Sequence, residues 1–451
     1  MYHRLRVGLL VVFCLSIGNL FGLFAQHSTD YYSLSMVGNA GNGIFAPYYL
    51  SANKHGLVTH SKSGYLRASV FKGLEMNKRF SYEFGIDLVG LMSSTSPVSY
   101  YSDGNLKTHN PGVSSFLIQQ AYIGMKYRMI FISAGCRELT DEVVNFELSS
   151  GGLVWSGNAR PIPQVRAGFI DFVDIPFTKG WVQIKGELAY GKFMDNDFLR
   201  DHYNYYNQYI TTDALCHHKS ISFRSNPDKP FVVTIGAELA AQFGGTKRYY
   251  EKGILIDSLT MKSPTRLKDF FKILFPSSGD GQTNEGDQAY YYGNHVGQWN
   301  LSAEYRFKDN SSVRGYFEWY FDDASGMGKF NGWDGLWGLE YKSGKKNWLS
   351  NVVLEYLDMT NQSGPLNWCP SDYNDPKLDI EATGADDYYN NYFYNGWAHY
   401  GLSNGTAMAK SLLYNTDGYM RYKHNRIRGV HLGASGYIAP EWKYKILPYI
   451  C

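Results

Sequence analysis

Residues Glu147–Gly168 read ELSSGGLVWSGNARPIPQVRAG, and this stretch decides how the flanking sequence is interpreted. Its Gly-Gly pair and its Pro-Ile-Pro would each interrupt a helix within one turn. Its apolar residues, among them Leu153 and Trp155, are too numerous for a flexible linker exposed to water. The stretch is therefore predicted to be a tightly folded, buried connection that offers Asn158 and Arg160 as polar groups.

The segments around this connection alternate between apolar and polar residues, as a strand with two different faces does. Phe80–Gly90 reads FSYEFGIDLVG, and the pattern recurs at 181–191, 298–307 and 312–322. The residues expected to face lipid are Phe84, Ile86, Leu88, Val182, Ile184, Leu188, Leu301, Phe317 and Trp319. The residues expected to face the interior are Glu83, Asp87, Lys185, Glu187, Glu304 and Glu318.

Charges on one strand face and aromatic residues at the ends of the other predict an all-β, transmembrane antiparallel barrel with long loops. Each segment has about ten residues, close to the length of a tilted membrane crossing. The composition agrees, because aromatic residues make up 16% of the chain and charged residues only 19%. A soluble β-sandwich remains the alternative.

Residues 1–25 are predicted to be a signal peptide, with Arg4 and Arg6 before an apolar run and Ala25 at the cleavage point. An uncleaved anchor helix is the alternative. The barrel would occupy residues 26–451. Lys and Arg total 43 and Asp and Glu 41, and the signal segment holds two Arg and no acid, so the exported chain is formally neutral. This balance argues against nucleic acid as a partner.

Cofactor and metal motifs are not found in the sequence, so no cofactor is predicted. Adjacent His217 and His218 would point to opposite faces of a strand, and the start of a calcium loop at 195–197 lacks the later EF-hand positions. The spacings of the cysteines of the exported chain form no disulfide or zinc pattern. These cysteines are Cys136, Cys216, Cys369 and Cys451.

A short helix is predicted after Ser263-Pro264-Thr265, which could cap it, and it should run to Phe275. Its apolar stripe consists of Leu267, Phe270, Phe271 and Leu274. The helix is expected to form an insertion outside or under the barrel.

Several further segments, in order along the chain, carry a resemblance to a known family. They read YYLSANKHG (48–56), GWVQIKGELAYGKFMDNDF (180–198), HHKSISFR (217–224), GNHVGQWN (293–300), LEYLDMTNQSGP (354–365) and DDYYNNYFYNGWAHYG (386–401). With SSGGLVWSGNARPIPQVRAG (149–168), they resemble the capsule-assembly Wzi family of Gram-negative outer-membrane proteins.

The resemblance implies a barrel of about eighteen strands in the cell outer membrane. Such a protein would hold capsular polysaccharide as a lectin-like binder and not as an enzyme. Its partners would be the polysaccharide and outer-membrane lipid, and a monomer is expected. The chain ends in KYKILPYIC, without the terminal aromatic residue of most such barrels, so a missing last strand is one alternative.

The best carbohydrate-like cluster consists of Asp387, Tyr388, Asn391 and Trp397. Aromatic planes can cover the apolar face of a sugar ring, while Asp and Asn exchange hydrogen bonds with its hydroxyls. We expect these residues on an outward-facing loop in contact with polysaccharide. A loop that packs on itself is the alternative.

Trp155, Asn158 and Arg160 form the second candidate cluster. Arg160 could bind a carboxylate or sugar hydroxyls beside the plane of Trp155. In the other interpretation, which we favour, Arg160 pairs with a carboxylate of the barrel interior and fixes a plug-like loop.

Two other function classes remain open: a porin or solute channel on the same barrel and, third, an outer-membrane hydrolase. The sequence contains neither a G-x-S-x-G nor an HExxH motif. The paired acids at 322–323 and 386–387 are adjacent, whereas glycosidase carboxylates face each other across a sugar. The sequence therefore predicts no catalytic residue.

Overall fold

The computed structural model describes residues 30–102, 105–112, 114–203, 207–289, 291–322, 324–328, 331–362 and 386–450. The predicted signal peptide, Cys369 and Cys451 lie outside these ranges. Among the residues they contain, there is no helix with the length and apolar character needed to span a membrane.

Strands make up most of the described chain. Their bounds are β1 Asp30–Asn39, β2 Ser63–Lys72, β3 Phe80–Ser93, β4 Val98–Ser102, β5 Asn105–His109, β6 Phe116–Tyr127, β7 Ile130–Cys136, β8 Gln164–Phe169, β9 Val173–Asp174, β10 Val182–Lys192, β11 Gln208–Ser225, β12 Phe231–Glu251, β13 Ile254–Leu255, β14 Met261–Lys262, β15 Asn294–Arg306, β16 Ser312–Phe321, β17 Gly335–Lys342, β18 Asn351–Asp358, β19 Ala398–His399, β20 Leu402–Ser403, β21 Arg428–Ala439, β22 Trp442–Ile446 and β23 Tyr449–Ile450. The helices are α1 Tyr48–Ser51, α2 Asn196–Tyr203, α3 Leu267–Leu274, α4 Glu285–Ala289 and α5 Ala324–Met327, with 3₁₀ turns at Asp257–Leu259 and Leu412–Tyr414.

Nineteen of the strand segments in the described ranges form one sheet, in which neighbours along the chain pair antiparallel. Some of these segments are short and continue a neighbour: β8 and β9 both pair with β10, and β22 and β23 both pair with β21. Short turns, such as 128–129 and 226–230, join the strands at one end. Long connections, such as 137–163 and 252–293, join them at the other.

The two faces of the sheet differ as the alternation predicts. On β3, Ile86 is 50% exposed while its neighbour Asp87 is fully buried, and Glu83 is buried as well. Arg67 on β2 pairs with Asp87 on the interior side. Apolar side chains thus cover the outside, and the charged side chains that would be costly in lipid lie inside.

The sheet is rolled into a barrel around the connection between β7 and β8, residues 137–163, which we call the plug. Glu138 of the plug lies 2.9 Å from Arg67 on β2, near one edge of the sheet. Glu147 of the plug pairs with Lys443 on β22, at the other edge. One short connection reaches both edges only if the sheet curves around it.

This architecture confirms the predicted all-β antiparallel barrel. An apolar exterior, a polar interior, short turns at one end and long loops at the other are the features of an outer-membrane barrel. Aromatic residues gather on the outer wall where an interfacial girdle is expected. Trp319 stacks on Trp333 with ring centroids 5.1 Å apart, and Phe317 stacks on Trp337 at 3.9 Å.

The predicted helical insertion exists, and it lies outside the barrel. Its helix spans Leu267–Leu274, but the predicted cap at 263–265 is wrong, because Arg266 is the N-cap residue. The carboxylate of Asp269 accepts a 2.8 Å hydrogen bond from the backbone N–H of Arg266 and closes the first turn. A carboxylate at the third helical position reaches back in this way in a capping box.

Candidate functional site

The plug is attached to the barrel wall by a buried carboxylate on β18. Glu355 accepts hydrogen bonds of 2.7 Å from both the backbone N–H and the hydroxyl of Ser150, and one of 2.5 Å from the hydroxyl of Ser149. The hydroxyl of Tyr316 on β16 donates to the same carboxylate. Because a plug without strand partners must still satisfy its backbone, these contacts replace a sheet ladder.

The backbone at the apolar centre of the plug forms hydrogen bonds both to the barrel wall and to the segment that follows β18. The N–H of Leu153 donates to Glu318 on β16 at 2.9 Å, and the N–H of Val154 donates to Gln298 on β15 at 3.2 Å. The carbonyls of both residues accept from the segment that follows β18. Tyr389 donates to the carbonyl of Leu153 at 2.7 Å, and Trp397 Nε1 donates to the carbonyl of Val154 at 2.6 Å.

We call residues 386–427, the described part of the connection between β18 and β21, the cap loop. It closes the long-loop end of the barrel over the plug. Gly405 allows the close approach, because a Cβ at this position would lie 2.1 Å from the carbonyl oxygen of Leu153.

The structure brings the two predicted clusters together but buries their main aromatic residues. Tyr388 and Trp397 are both 0% exposed. Tyr388 accepts a 2.8 Å hydrogen bond from Asn331, and its ring packs 4.7 Å from that of Tyr320. The expectation that Tyr388 and Trp397 face outward is therefore wrong, since neither ring face is open to a polymer.

The second cluster also differs from its prediction. Asn158 is buried and donates to the carbonyl of Ser403 at 3.1 Å. The guanidinium of Arg160 lies 4.4 Å above the ring of Tyr400. Within the described ranges, no carboxylate comes within ion-pair distance of Arg160, so the predicted interior acid partner is wrong. Burial lowers the pKa of Arg160 from its ordinary value.

The space between Trp155 and Arg160 is too small for a sugar. The cavity that both residues line, together with His55 and Arg137, has a volume of about 10 Å³. This is about the space that one water molecule occupies. Trp155 instead packs in the interior, 5.4 Å from the ring of His218 and 5.8 Å from Trp397. These contacts favour a structural role for the cluster.

A larger cavity of about 370 Å³ lies between the plug, residues 48–54 and β22. Lys443 and Glu147 both line it, and Lys443 pairs in the sheet with Tyr437, close to the turn at 440–441. The cavity therefore belongs to the short-turn half of the barrel.

The outward surface of the cap loop presents a different set of side chains. Asp387 is partly exposed and forms a 2.8 Å ion pair with Arg421. Tyr392 is 61% exposed, and its ring packs edge-on against Tyr209 at 5.6 Å. Asn391 is half-buried and accepts from the backbone N–H of residue 393 at 2.9 Å, so it fixes the turn that carries Tyr392.

A carboxyl group of the plug also lies against the wall carboxylates. Asp141 lies close to Glu318 and Glu238. Burial, and then repulsion by Glu238, raise the pKa of Asp141. A carboxyl next to a carboxylate keeps its proton because both cannot be charged at low cost.

His217 and His218 point to opposite faces of β11, as predicted. His218 lies inside, with Nε2 2.8 Å from Glu238 and Nδ1 3.6 Å from Glu187. His217 lies outside, its ring 4.4 Å from that of Tyr190. The described part of the chain holds no group of three or more potential metal-binding side chains.

Sequence reasoning missed Tyr392 and Glu355. Tyr392 belongs to the quoted block DDYYNNYFYNGW, but four tyrosines in that block have the same local composition, so nothing marked the exposed one. Glu355 carries a clearer signal, because it is the one acid within the alternating segment NVVLEYLD, which ends at Asp358. An interior carboxylate on such a strand needs hydrogen-bond donors, which the glycine-rich stretch supplies.

Comparisons with known proteins give structural resemblances only. No protein-family model matches the chain, and no curated protein matches it. Among solved structures, it is similar to Wzi of Escherichia coli, described as an outer-membrane protein involved in group 1 capsule assembly and a carbohydrate-binding β-barrel. That match has 11% identity and a TM-score of 0.49, and covers 94% of this chain and 80% of that one.

Two porin-like structures match with lower scores. The outer-membrane channel DcaP of Acinetobacter baumannii has 10% identity and a TM-score of 0.27, with 74% of this chain and 92% of that one covered. A Rh. blastica porin mutant has 10% identity and a TM-score of 0.25, with 66% and 85% covered.

Proposed function

We propose that this protein attaches capsular polysaccharide to the cell surface from the outer membrane, as a non-catalytic, lectin-like binder. The observation that carries the proposal is the filled interior, in which plug and cap loop are hydrogen-bonded to each other and to the wall. A filled barrel presents its long loops to the medium in a fixed shape. Residues Asp387, Asn391 and Tyr392 are the proposed contact surface.

The contact surface suits a polysaccharide chemically. The exposed ring of Tyr392 can cover the apolar face of a sugar, and the Asp387–Arg421 pair offers both acceptors and donors to hydroxyls. The formally neutral exported chain cannot hold a polymer by net charge alone. Retention would come from many weak contacts along one polymer, the regime in which avidity exceeds the affinity of any single site.

Deletion of the gene tests the proposal directly. Cell-bound and shed capsule would be measured in the parent, the deletion strain and a strain complemented with the intact gene. We expect the deletion to move polymer from the cells to the medium without changing its total amount or chain length. Unchanged retention would refute an attachment function.

The contacts in the filled interior give no support to a porin. Conductance measurements test this alternative. Purified protein in a planar bilayer should show little conductance if the plug stays in place, whereas a porin conducts steadily. A hydrolase would release reducing ends or fatty acids during incubation with polysaccharide or lipid. Either result, with unchanged capsule retention in the deletion strain, would replace the proposed function.

A further inference from the structure

The insertion between β12 and β15, residues 252–293, folds back over the outer wall of the barrel, and we call it the outer-wall insertion. Strand register places the wall residues beneath it on the outside: Tyr190 pairs with His217, and Leu215 pairs with Phe243. Phe243 is nevertheless fully buried. The insertion therefore covers a part of the wall that would otherwise face the surroundings.

Aromatic contacts hold α3 of this insertion against the wall. The ring of Phe270 lies 5.2 Å from Tyr190 and 5.2 Å from Phe243, while Ile273 is fully buried. The hydroxyl of Tyr190 also donates to the carbonyl of Phe270 at 3.0 Å. One side of α3 is thus fixed by packing and by hydrogen bonding.

An outward-facing lysine of β11 fixes the C-terminal end of α3. Lys219 Nζ donates to the carbonyl of Ile273 at 3.2 Å and also to that of Leu274. A cation at a helix C-terminus satisfies carbonyls that have no helical partner and interacts favourably with the helix dipole. This explains how a charged residue is tolerated on the outer wall.

The other side of α3 exposes large apolar side chains at helical spacing. Leu267 is 76% exposed, Phe271 56% and Phe275 69%. Below them along the wall, the exposed side chains of Ile221 and Ile235 continue the apolar surface toward the short-turn end. The stripe on α3 is therefore exposed on the same outer side of the barrel as the side chains expected to face lipid.

Basic residues border this stripe. Arg266, Lys268 and Lys272 all converge on the carboxylate of Asp280, at 2.7, 3.1 and 3.7 Å. Arg266 also pairs with Asp269. Three cations against two carboxylates leave positive charge beside an exposed apolar stripe. An amphipathic helix with this composition lies in the plane of a membrane interface, with its cations at anionic headgroups.

We propose that the outer-wall insertion binds an anionic, phosphate-bearing lipid surface, a role that goes beyond polysaccharide attachment and rests on the membrane placement of the barrel. Leu267, Phe271 and Phe275 enter the acyl layer at the long-loop boundary. Lys268 and Lys272 contact lipid phosphates. The insertion would fix the depth of the barrel beneath the cap loop, which carries the contact surface.

Spin labels on the intact chain, reconstituted in vesicles that contain an anionic phospholipid, test the apolar part. A nitroxide on Phe271→Cys should collide with oxygen more than with a water-soluble nickel chelate. The label on Ile235→Cys provides the lipid reference and that on Tyr392→Cys the water reference, after accessible native cysteines are replaced by Ser. Lipid-like behaviour at Ile235→Cys but water-like behaviour at Phe271→Cys would overturn the proposal, while water-like behaviour at both would overturn the membrane placement itself.

Protection of the Phe271→Cys label from both reagents would also overturn the lipid proposal, because it would mean that protein covers the stripe.

The proposed contact of Lys268 and Lys272 with lipid phosphates is tested with spin-labelled phosphatidylglycerol and phosphatidylcholine. The intact chain should prefer the anionic lipid, and Lys268→Gln with Lys272→Gln should reduce that preference, by up to about fivefold for each lysine. Lys423→Gln in the cap loop, far from the stripe, should leave it unchanged. Equal preference in all variants would remove the headgroup role.

Discussion

The two sides of the cap loop have similar residues but opposite surroundings. On the inner side, Trp397 is buried and hydrogen-bonded to the plug, and Tyr388 is buried and hydrogen-bonded to Asn331 in the connection before β17. On the outer side, Tyr392 and Asp387 reach the surface. Aromatic rings and polar groups thus build a core on one side and a display surface on the other.

The difference shows that aromatic and amide-rich composition alone does not identify a carbohydrate site. The inner tyrosines fill the barrel, and the hydroxyl of Tyr389 satisfies the carbonyl of Leu153, which lacks a strand partner. Only accessibility separates them from the outer ones. Substitutions on the inner side should therefore change stability first, while those on the outer side should change polymer retention first.

Trp397→Ala should have the largest effect. A fully buried Trp that is truncated to Ala loses packing and leaves a cavity, which costs about 3–5 kcal/mol. The carbonyl of Val154 would also lose its partner. We expect a clearly lower temperature for the mobility shift between folded and unfolded barrel on gels. Trp333→Ala, at an exposed outer-wall position, is the control and should shift this temperature much less.

A variant Trp397→Ala with intact thermal stability but lost capsule would contradict the inner-side assignment. It would mean that Trp397 becomes accessible when the polymer binds.

Glu355→Ala should release the plug from β18. The backbone N–H of Ser150 and the hydroxyl of Tyr316 would lose their acceptor. Each buried group left unpaired costs roughly 1–3 kcal/mol. We expect intermittent conductance steps in planar bilayers that the parent protein lacks. Glu304→Ala removes an interior carboxylate that pairs with Arg306 and should stay closed.

Steady conductance in both the parent and Glu304→Ala would show that the plug does not seal the barrel. The filled interior would then no longer argue against a channel.

Plug attachment should also depend on pH through Asp141. Its raised pKa means that the held plug keeps a proton that the released plug gives up near the usual aspartate pKa of about 4. The stabilisation is therefore complete below that value and is lost as the pH rises through the raised pKa. Every tenfold difference in proton affinity between the held and the released plug corresponds to about 1.4 kcal/mol. Glu318 and Glu238 are the carboxylates that face this group.

Unfolding temperatures of the barrel at pH 5 and pH 8 would measure this dependence. We expect the parent to be more stable at pH 5, and Asp141→Asn to reduce the difference. A difference that persists in Asp141→Asn would assign the dependence to other groups.

Much of this fold follows from the sequence because alternation has a direct physical cause. A strand that separates lipid from a polar interior must place Ile86 and Asp87 on opposite faces, and they lie so. The glycine-rich stretch is predictable as a buried connection only as far as Pro163, because its last residues belong to β8 and Val165 is 55% exposed on the outer face. The position of Leu153 between Glu318 and Tyr389 is not predictable in this way, because it depends on contacts between distant parts of the chain.

The site is less predictable than the fold for the same reason. The sequence suggests that Arg160 pairs with an interior acid, yet its guanidinium lies over the ring of Tyr400. A contact between a cation and an aromatic ring produces no periodic pattern in the sequence, so it could not be predicted. The exposure of Tyr392 depends on the turn that Asn391 fixes, which local composition does not specify.

The smallest effect is expected for Tyr392→Ala, on the outer side of the cap loop. One stacking contact contributes on the order of 1 kcal/mol, and the polymer is held by many contacts, so a single loss should reduce retention only by degrees. Adding Asp387→Ala, which also frees Arg421, should release more capsule into the medium.

Shed and cell-bound polymer would be measured after surface levels of each variant are matched. Tyr305→Ala, exposed on the outer wall near the turn at 307–311, is the control for loss of an exposed aromatic residue and should retain full capsule. If the double variant is present at normal levels and its cells keep all their polymer, the outer side of the cap loop is not the contact surface, and the difference between its two sides has no role in attachment.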